Sequence, residues 1–353
     1  IISIDTLNVD AYFHFTTLYE EEKKYEKAIV LYNKAIEINP KDKDLYYYMT
    51  TPYEALGMYE EAEKNYLKAI ALDPVNTNYY LALGNLYKKE LDDRNKAIEQ
   101  FKKIIQLDSL DIGGYNNIGN IYLNEPQNLD LAEEYLLKGL KIDPNYHLFN
   151  LNLGRLYNFR NEYEKAIEFF KKCIDLKPEY DTAYYEITTS YKELEMYEEA
   201  EKNYLKAIAL DPKDLNYYLA LGNLYINELN YPEKGISQYL KIIEIDPLYI
   251  QAYNNAGNLF LSVLNDLEKA EQYLIKAYEI DNNSHYVNYN LARLYEEKEE
   301  FTLSKDYYQR AIDLNPLNSY YFFRITTPLE ELGLNDEAEK NYLKAIELEP
   351  KSN

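Results

Sequence analysis

The segment "MYEEAEKNYLKAIALDP" occupies Met58–Pro74 and returns unchanged 138 residues later, at Met196–Pro212. A related segment, "NDEAEKNYLKAIELEP", runs from Asn335 to Pro350. Each copy resembles one amphipathic helix followed by a proline, a residue that fits the first turn of a helix but not its interior. Self-similarity at a fixed spacing is the signature of a repeat protein, so the period is the first property to establish.

The underlying period is 34 or 35 residues. Each unit ends in a proline or a residue that replaces it. A small or aliphatic residue lies five positions before it, and another small residue lies twelve positions before it, as in Ala62, Ala69 and Pro74. Apolar residues three and four apart, such as Leu83 and Leu86, fall on one helical stripe. Small residues let two helix backbones approach closely, and a larger side chain there would cost roughly 1–3 kcal/mol. The pattern predicts helical hairpins that must stack, because neither helix can bury its stripe alone.

These residues resemble the tetratricopeptide repeat family, whose units carry an aromatic residue, a Leu-Gly pair, a tyrosine, an alanine, a second aromatic residue, an alanine and a proline. In the second repeat these positions are Tyr46, Met49, Thr50, Tyr53, Ala62, Tyr66, Ala69 and Pro74. The resemblance covers essentially the whole chain. It implies an all-α fold, a right-handed superhelical α-solenoid of tandem helix-turn-helix hairpins. Asn150 and Asn288 depart from it at the first aromatic position, and repeats three, four, seven and eight have one extra residue in the hairpin turn.

Two units of 34 residues and two of 35 add up to about 138, so the spacing corresponds to a block of four repeats. Other segments recur at the same spacing, such as "YYLALGNLY" at Tyr79 and again at Tyr217. Gene duplication is one explanation; the other is that a four-repeat block presents one surface periodically. Both ends of the chain resemble interior units, which favours either a segment of a longer array or chains that stack end to end. We expect residues 1–8 to end a preceding repeat and residues 9–353 to form a continuous array of ten units, at 9–42, 43–76, 77–111, 112–146, 147–180, 181–214, 215–249, 250–284, 285–318 and 319–353.

Composition excludes several classes of function. A net charge of −23 argues against nucleic acid and against an anionic membrane surface, because both require clustered lysine and arginine. The single cysteine, Cys173, cannot form an internal disulfide, and no Cys/His set has metal-ligand spacing. No apolar run approaches the ~20 residues that span a bilayer. No phosphate-binding loop or nucleophile motif occurs, so we expect no enzyme activity, catalytic residue, cofactor or metal. The compartment stays open between cytoplasmic and extracellular.

The resemblance places a binding surface on the first helix of each hairpin, which lines the concave side in this family. An asparagine amide both donates and accepts, so a ladder of amides can pair with the backbone of an extended peptide. An arginine at the end of each ladder can hold a carboxylate. A structural or solvated role is the alternative, and the lysine of the family's carboxylate clamp is missing. The candidate binding residues are Asn85, Asn117, Asn120, Asn152, Arg155, Asn223, Asn255, Asn258, Asn290 and Arg293.

Pairs of threonines recur in the first-helix segments of several repeats, at Thr16-Thr17, Thr50-Thr51, Thr188-Thr189 and Thr326-Thr327. Pro52 and Pro328 directly follow two of the pairs. A proline inside a helix costs roughly 3 kcal/mol, so we expect these two helices to kink, with the carbonyls of the residues four positions earlier left unpaired. The alternative is a threonine-lined binding or glycan-attachment spot. Asn282 opens the one N-glycosylation sequon, Asn282-Asn283-Ser284, which is weak evidence by itself.

Two functions remain open from the sequence. The first is a scaffold that binds a protein or extended peptide along the first helices. The second is a structural protein whose ends stack or continue into a long superhelix or filament. Acidic residues concentrate on the second helices, as in Glu60, Glu61 and Glu63. A solvated outer face explains them, and the alternative is docking of a basic partner.

Overall fold

The computed structural model describes residues 9–349, in which every regular element is a helix. Residues 1–8, expected to end a preceding repeat, lie outside this range. The elements are α1 Val9–Glu21, α2 Tyr25–Ile38, α3 Lys43–Ala55, α4 Tyr59–Leu72, α5 Thr77–Lys89, α6 Arg94–Leu107, α7 Ile112–Leu123, a 3₁₀ turn Pro126–Asn128, α8 Leu129–Ile142, α9 His147–Phe159, α10 Tyr163–Leu176, α11 Asp181–Glu193, α12 Tyr197–Leu210, α13 Leu215–Asn227, α14 Pro232–Ile245, α15 Ile250–Ser262, α16 Leu267–Ile280, α17 His285–Glu297, α18 Phe301–Leu314, α19 Ser319–Arg324, α20 Thr326–Glu331 and α21 Asn335–Leu348.

The helices form ten tandem hairpins. We call the odd-numbered helices α1 to α17 the first helices, and α2 to α18 the second helices. In hairpin ten the first helix is divided into α19 and α20, and α21 is the second helix. Within each hairpin the two helices pack along their length. The all-α architecture of tandem hairpins is therefore confirmed.

The hairpins group into two compact units. Among the described residues, unit 1 comprises residues 9–178 and unit 2 comprises residues 179–349. Each unit holds five hairpins. Within each unit, the second helix of one hairpin packs against the first helix of the next, as α2 does on α3 and α14 on α15.

The small residues identified in the sequence lie at the contact between paired helices. Ala62 and Ala69 of α4 are 0 % exposed. The limit on size is sharpest at Gly139 of α8, where an added Cβ would lie 2.1 Å from Cζ of Phe149. Interatomic contacts that short do not occur between packed side chains, so the backbone spacing fixes glycine at this position.

One residue in each of nine hairpin turns adopts the left-handed conformation. In turns of three residues it is the middle one, for example Gly57 with φ of 70° and Glu195 with φ of 56°. The turns of hairpins three, seven and eight have four residues between the helices, and hairpin four has a 3₁₀ turn there. These are the four hairpins in which the sequence predicts an extra residue, and the prediction is confirmed.

Tyrosine–glutamate hydrogen bonds join neighbouring hairpins. The hydroxyl of Tyr87 in α5 donates to Oε1 of Glu63 in α4 at 2.5 Å. The equivalent pair in unit 2, Tyr225 and Glu201, is bonded at 2.6 Å. Burial raises the pKa of the Tyr87 hydroxyl, and the bond to Glu63 raises it further. These bonds give Glu63 and Glu201 a partner within the fold, where a solvated outer face was expected from the sequence.

The two prolines that follow threonine pairs behave differently. The first helix of hairpin ten is interrupted at Ile325, three residues before Pro328, as predicted. In hairpin two, α3 continues from Lys43 to Ala55 with Pro52 buried inside it. The kink expected in α3 stays a prediction, and nothing in the two Thr-Thr-Pro motifs explains why α3 is continuous while the first helix of hairpin ten is divided.

Candidate functional site

The structure gives part of the predicted asparagine ladder a packing role. In unit 1, Asn152 of α9 is 3 % exposed, and its Nδ2 donates to Oδ1 of Asn116 in α7 at 3.0 Å. Arg155 Nη1 donates to Oδ1 of Asn152 at 3.3 Å. The Asn152 amide thus links two adjacent first helices, and this arrangement leaves it no surface for an extended peptide.

Unit 2 repeats the asparagine pair at the same spacing, whereas its arginine bonds a different asparagine. Asn290 of α17 is 7 % exposed, and its Nδ2 donates to Oδ1 of Asn254 in α15 at 2.9 Å. Arg293 Nη1 donates to Oδ1 of Asn258 at 2.8 Å. Asn116 and Asn254 are not among the binding residues predicted from the sequence, yet they are the partners of Asn152 and Asn290. Their identity at the 138-residue spacing was the available signal.

Two further candidates in unit 2 contact a buried tyrosine. The hydroxyl of Tyr239 in α14 donates to Oδ1 of Asn223 at 2.6 Å. Burial raises the pKa of Tyr239 to about 12, and a hydrogen bond with Asn255 partly offsets that rise. Asn223 and Asn255 therefore satisfy a tyrosine hydroxyl inside unit 2, which reduces the hydrogen-bonding capacity that remains for a ligand.

The remaining candidates lie on α5 and α7 of unit 1. Asn85, Asn117 and Asn120 are half-buried, and their side-chain amides make no hydrogen bond with the residues that the structure describes. Asn117 and Asn120 are one helical turn apart on α7. Asn85 and Asn120 occupy the same position in successive repeats. We call these three residues, together with Lys88, the amide patch.

Lys88 adds a positive charge to this patch. It lies one turn beyond Asn85 on α5 and is half-buried, and no carboxylate in the described range lies within ion-pair distance of it. Burial lowers the pKa of its ammonium group, and repulsion from Lys89 adds to the effect. A cavity of about 150 Å³ beside it is lined by Lys88, Asp92, Arg94, Ile121 and Asn124. An oxygen atom of a ligand would offset the cost of holding this cation away from water.

The paired threonines divide into a buried and an exposed member. Thr50 is 2 % exposed, and its hydroxyl donates to the carbonyl of Tyr47 at 2.6 Å. Burial raises the pKa of Tyr66, and the hydrogen bond between Thr50 and Tyr66 offsets part of that rise. Thr188 and Thr326 are buried in the same way and donate to the residue three positions earlier. The first threonine thus stands where other repeats have glycine, and Thr50 and Thr188 each bond a tyrosine of the facing helix.

Burial of these hydroxyls corrects one expectation, since a glycan cannot be attached to Thr50, Thr188 or Thr326 in the folded chain. Thr51, Thr189 and Thr327 are exposed. Asn282, which opens the sequon, is also exposed and precedes α17. Its main-chain carbonyl accepts a hydrogen bond from Nδ2 of Asn288 at 2.9 Å.

Two kinds of site are absent from the described part of the chain. Residues 9–349 hold no cluster of three or more His, Cys, Asp or Glu side chains that could bind a metal ion. Over the same range, no helix combines the length and apolar character that a bilayer crossing requires.

Family models match most of the sequence. A model described as "Tetratricopeptide repeat" matches nine segments, and two related repeat models match residues 53–90 and 31–64. The nine segments are 9–42, 77–109, 112–146, 149–180, 181–214, 215–247, 250–284, 285–316 and 329–352.

Two curated proteins are similar to parts of the chain. Human protein O-mannosyl-transferase TMTC3 is 30 % identical over 238 residues, which is 62 % of this chain and 26 % of that protein. The UDP-N-acetylglucosamine–peptide N-acetylglucosaminyltransferase of Giardia intestinalis is 33 % identical over 79 residues, which is 22 % of this chain and 5 % of that protein. The chain therefore spans about a quarter or less of these relatives.

Solved structures of repeat proteins share the fold. A tetratricopeptide repeat protein from Parabacteroides merdae matches with a TM-score of 0.56 and 17 % identity, covering 70 % of this chain and 97 % of that one. The C-terminal part of a repeat protein from Cytophaga hutchinsonii matches with a TM-score of 0.52 and 21 % identity, covering 69 % and 98 %. At these identities the likeness shows the fold alone.

Proposed function

Because this chain belongs to the tetratricopeptide repeat family, we propose that it is a non-enzymatic scaffold whose amide patch binds an extended peptide segment of a partner protein. The observation that carries the proposal is the set of unengaged amides on α5 and α7, at Asn85, Asn117 and Asn120. Elsewhere on the first helices, equivalent side chains such as Asn152 and Asn290 are bonded within the fold.

The chemistry of the patch suits a peptide main chain. Each asparagine offers a donor and an acceptor, which complement the carbonyl and N–H groups of an extended segment. Since the amides are half-buried on helices, little side-chain freedom is lost on binding. Lys88 supplies a charge-assisted bond to a carbonyl or carboxylate oxygen of the peptide. Binding of this type depends on the main-chain conformation of the peptide and on one oxygen atom that Lys88 contacts, and not on a long specific sequence.

Overall charge supports the choice of partner. The net charge of −23 favours the approach of basic proteins and opposes nucleic acid and anionic membranes. The partner's peptide would then be neutral or basic apart from the one carboxylate that Lys88 binds. The transferase activities in the relatives' names are not part of the proposal, because the matched segments are a quarter or less of those proteins.

A selection experiment with a matched control tests this function. Peptides selected on the wild-type chain from a random display library are assayed for binding to N85A/N117A/N120A. We expect affinity to fall about 30- to 150-fold, since two or three bonds of about 1 kcal/mol each are lost. The control N65A/N203A/N341A removes three asparagines from second helices, whose amides bond their own helix. Equal loss in both variants, or unchanged affinity in the first, contradicts the proposal.

The second candidate function is self-association through hairpin ten. Tyr320, Phe323 and Ile346 are 49 %, 51 % and 68 % exposed. They line a cavity of about 470 Å³ between α19 and α21. An apolar surface of this kind favours docking of another helix, and a second copy of the chain is the occupant we propose. Sedimentation equilibrium would show concentration-dependent assembly that I346K abolishes. A monomer at every concentration removes this candidate.

A further inference from the structure

One aromatic position on a second helix differs between the two units beside the candidate amides. In unit 1 it is Phe101 of α6, and 138 residues later in unit 2 it is Tyr239 of α14. Phe101 is 0 % exposed and Tyr239 is 3 % exposed. The two side chains differ by a single hydroxyl group, so the units differ here in hydrogen bonding far more than in shape.

The two rings pack against the same position of the facing first helix. A Cβ added to Gly84 of α5 would lie 2.6 Å from Cε1 of Phe101. A Cβ added to Gly222 of α13 would lie 2.9 Å from Cε1 of Tyr239. The residue after each glycine is a candidate amide of its unit, Asn85 and Asn223 respectively. Each ring therefore lies beside the helical turn that carries such an amide.

In unit 2 the hydroxyl at this position engages two amides at once. Tyr239 donates to Oδ1 of Asn223 in α13 at 2.6 Å and also bonds Asn255 in α15. The residues 138 positions earlier are members of the amide patch, Asn85 and Asn117. Because phenylalanine has no hydroxyl, it offers these two amides no hydrogen bond, and they make none with the residues that the structure describes.

The same hydroxyl bonds the first helix in other hairpins. In hairpin two, Tyr66 donates to Oε1 of Glu54 at 2.6 Å. In hairpin nine, Tyr308 donates to Oε2 of Glu296 at 2.7 Å. A tyrosine at this position thus satisfies a polar group of the facing helix from within the hairpin, and phenylalanine leaves that group to another partner.

Two further differences distinguish the equivalent surface of unit 2. Asn258, the counterpart of Asn120, accepts a hydrogen bond from Arg293 Nη1 at 2.8 Å. Ile226 stands at the position of Lys88 and carries no charge. Removing the tyrosine hydroxyl from unit 2 would therefore free two amides without rebuilding the whole patch, so unit 1 is the place to test the effect on binding.

We propose that Phe101 is the positioning residue that keeps the amide patch of unit 1 open, and that Tyr239 closes the equivalent surface of unit 2. Phe101 acts through Asn85 and Asn117, since its own ring is buried and does not reach a ligand. The peptide supplies the hydrogen bonds that the tyrosine hydroxyl supplies in unit 2. Its effect on binding rests on the proposed peptide-binding function of the patch.

Adding the hydroxyl to unit 1 tests the proposal. Peptides selected on the wild-type chain from a random display library are assayed for binding to F101Y. We expect affinity to fall about tenfold, because the new hydroxyl competes with the peptide for two amides. The matched control is F170Y in α10, which adds the same hydroxyl at the same repeat position of hairpin five, where unit 2 has Tyr308. This control should bind as the wild type does.

A double-mutant cycle separates this effect from a general disturbance of the fold. The chain N85A/N117A/F101Y should bind no more weakly than N85A/N117A, since the hydroxyl acts only through those two amides. A further loss in the triple variant would show that the hydroxyl weakens binding by another route, which contradicts the proposal.

NMR signals of the side-chain amides test the contact without any peptide. In F101Y the signals of Asn85 and Asn117 should move towards those of their counterparts in unit 2, because each gains the bond that the tyrosine hydroxyl makes there. In F170Y they should not move. The reverse change, Y239F, should shift the signals of the two asparagines that Tyr239 bonds and leave those of unit 1 in place.

The proposal is overturned if F101Y binds peptide as the wild type does, if F101Y and F170Y lose affinity equally, or if the Asn85 and Asn117 signals do not move in F101Y. Failure of the proposed function gives a different result. In that case no peptide is selected, or N85A/N117A/N120A keeps its affinity, while the amide signals still show whether the hydroxyl engages these asparagines.

Discussion

Two residues that face each other across a helix contact differ between the units, and a larger residue at one position is matched by a smaller one at the other. Gly139 faces Phe149 in unit 1, whereas the residues 138 positions later are Ala277 and Val287. All four residues are buried, and the two large side chains, Phe149 and Val287, are 0 % and 1 % exposed. The smaller valine leaves room for the Cβ of Ala277, so each unit keeps the total volume that its helix spacing allows.

This balance predicts the outcome of a double-mutant cycle. G139A alone should destabilise unit 1 by about 1–3 kcal/mol, because the new methyl group overlaps the Phe149 ring. F149V alone should also destabilise, by leaving a cavity. The pair G139A/F149V reproduces the natural combination of unit 2 and should recover much of the loss. Urea unfolding followed by circular dichroism measures all four chains, and strictly additive effects would argue against the contact.

At the scale of the element, the hairpin turn depends on one residue with positive φ. Gly57 and Glu195 are equivalent residues of the two units, and both adopt the left-handed conformation. A residue with a Cβ pays roughly 1–2 kcal/mol for this conformation, whereas glycine does not.

Glycine in place of Glu195 should therefore stabilise the turn of hairpin six. We expect E195G to stabilise unit 2 by up to about 1 kcal/mol, and G57E to destabilise unit 1 by a similar amount. The urea midpoints of the two variants should move in opposite directions from that of the wild type. A decrease in both midpoints would mean that the glutamate side chain contributes more than the backbone conformation costs.

The sequence predicts helices and turns better than it predicts contacts between hairpins. Small residues such as Ala62 and the extra turn residues were identified correctly, because both are local consequences of helix spacing and length. The roles of Asn152 and Asn290 were not, since each depends on an amide of a neighbouring first helix, 36 residues away. The sequence alone does not distinguish the free amides of Asn85 and Asn120 from the bonded amides of Asn152 and Asn290, because the difference depends on the hydrogen bonds to neighbouring helices.

At the scale of the whole molecule, the 42 tyrosines set the response to pH. Burial raises the pKa of Tyr239 and of Tyr321 to about 12, above the ordinary value of about 10. In the unfolded chain these hydroxyls lose their protons near pH 10, whereas the folded chain holds them neutral. Their contribution to stability is therefore complete below pH 10 and is lost as pH rises towards 12.

We expect cooperative alkaline unfolding in this window. Tyrosinate absorbance and far-ultraviolet circular dichroism, recorded together from pH 9 to pH 12.5, should change in parallel for the buried tyrosines. Exposed tyrosines should titrate first, near pH 10, without loss of helix. Full ionisation of all tyrosines near pH 10 with helicity retained would contradict the burial that the structure assigns to them.

The central claim is that unit 1 binds an extended peptide through the amide patch on α5 and α7. Hydrogen–deuterium exchange of the full chain, with and without a peptide selected on it, tests this claim most directly. The account predicts slower exchange on binding in Thr77–Lys89 and Ile112–Leu123, with second helices α4 and α6 unchanged. Protection confined to second helices, or no change in α5 and α7 when the peptide is bound at saturation, would contradict it.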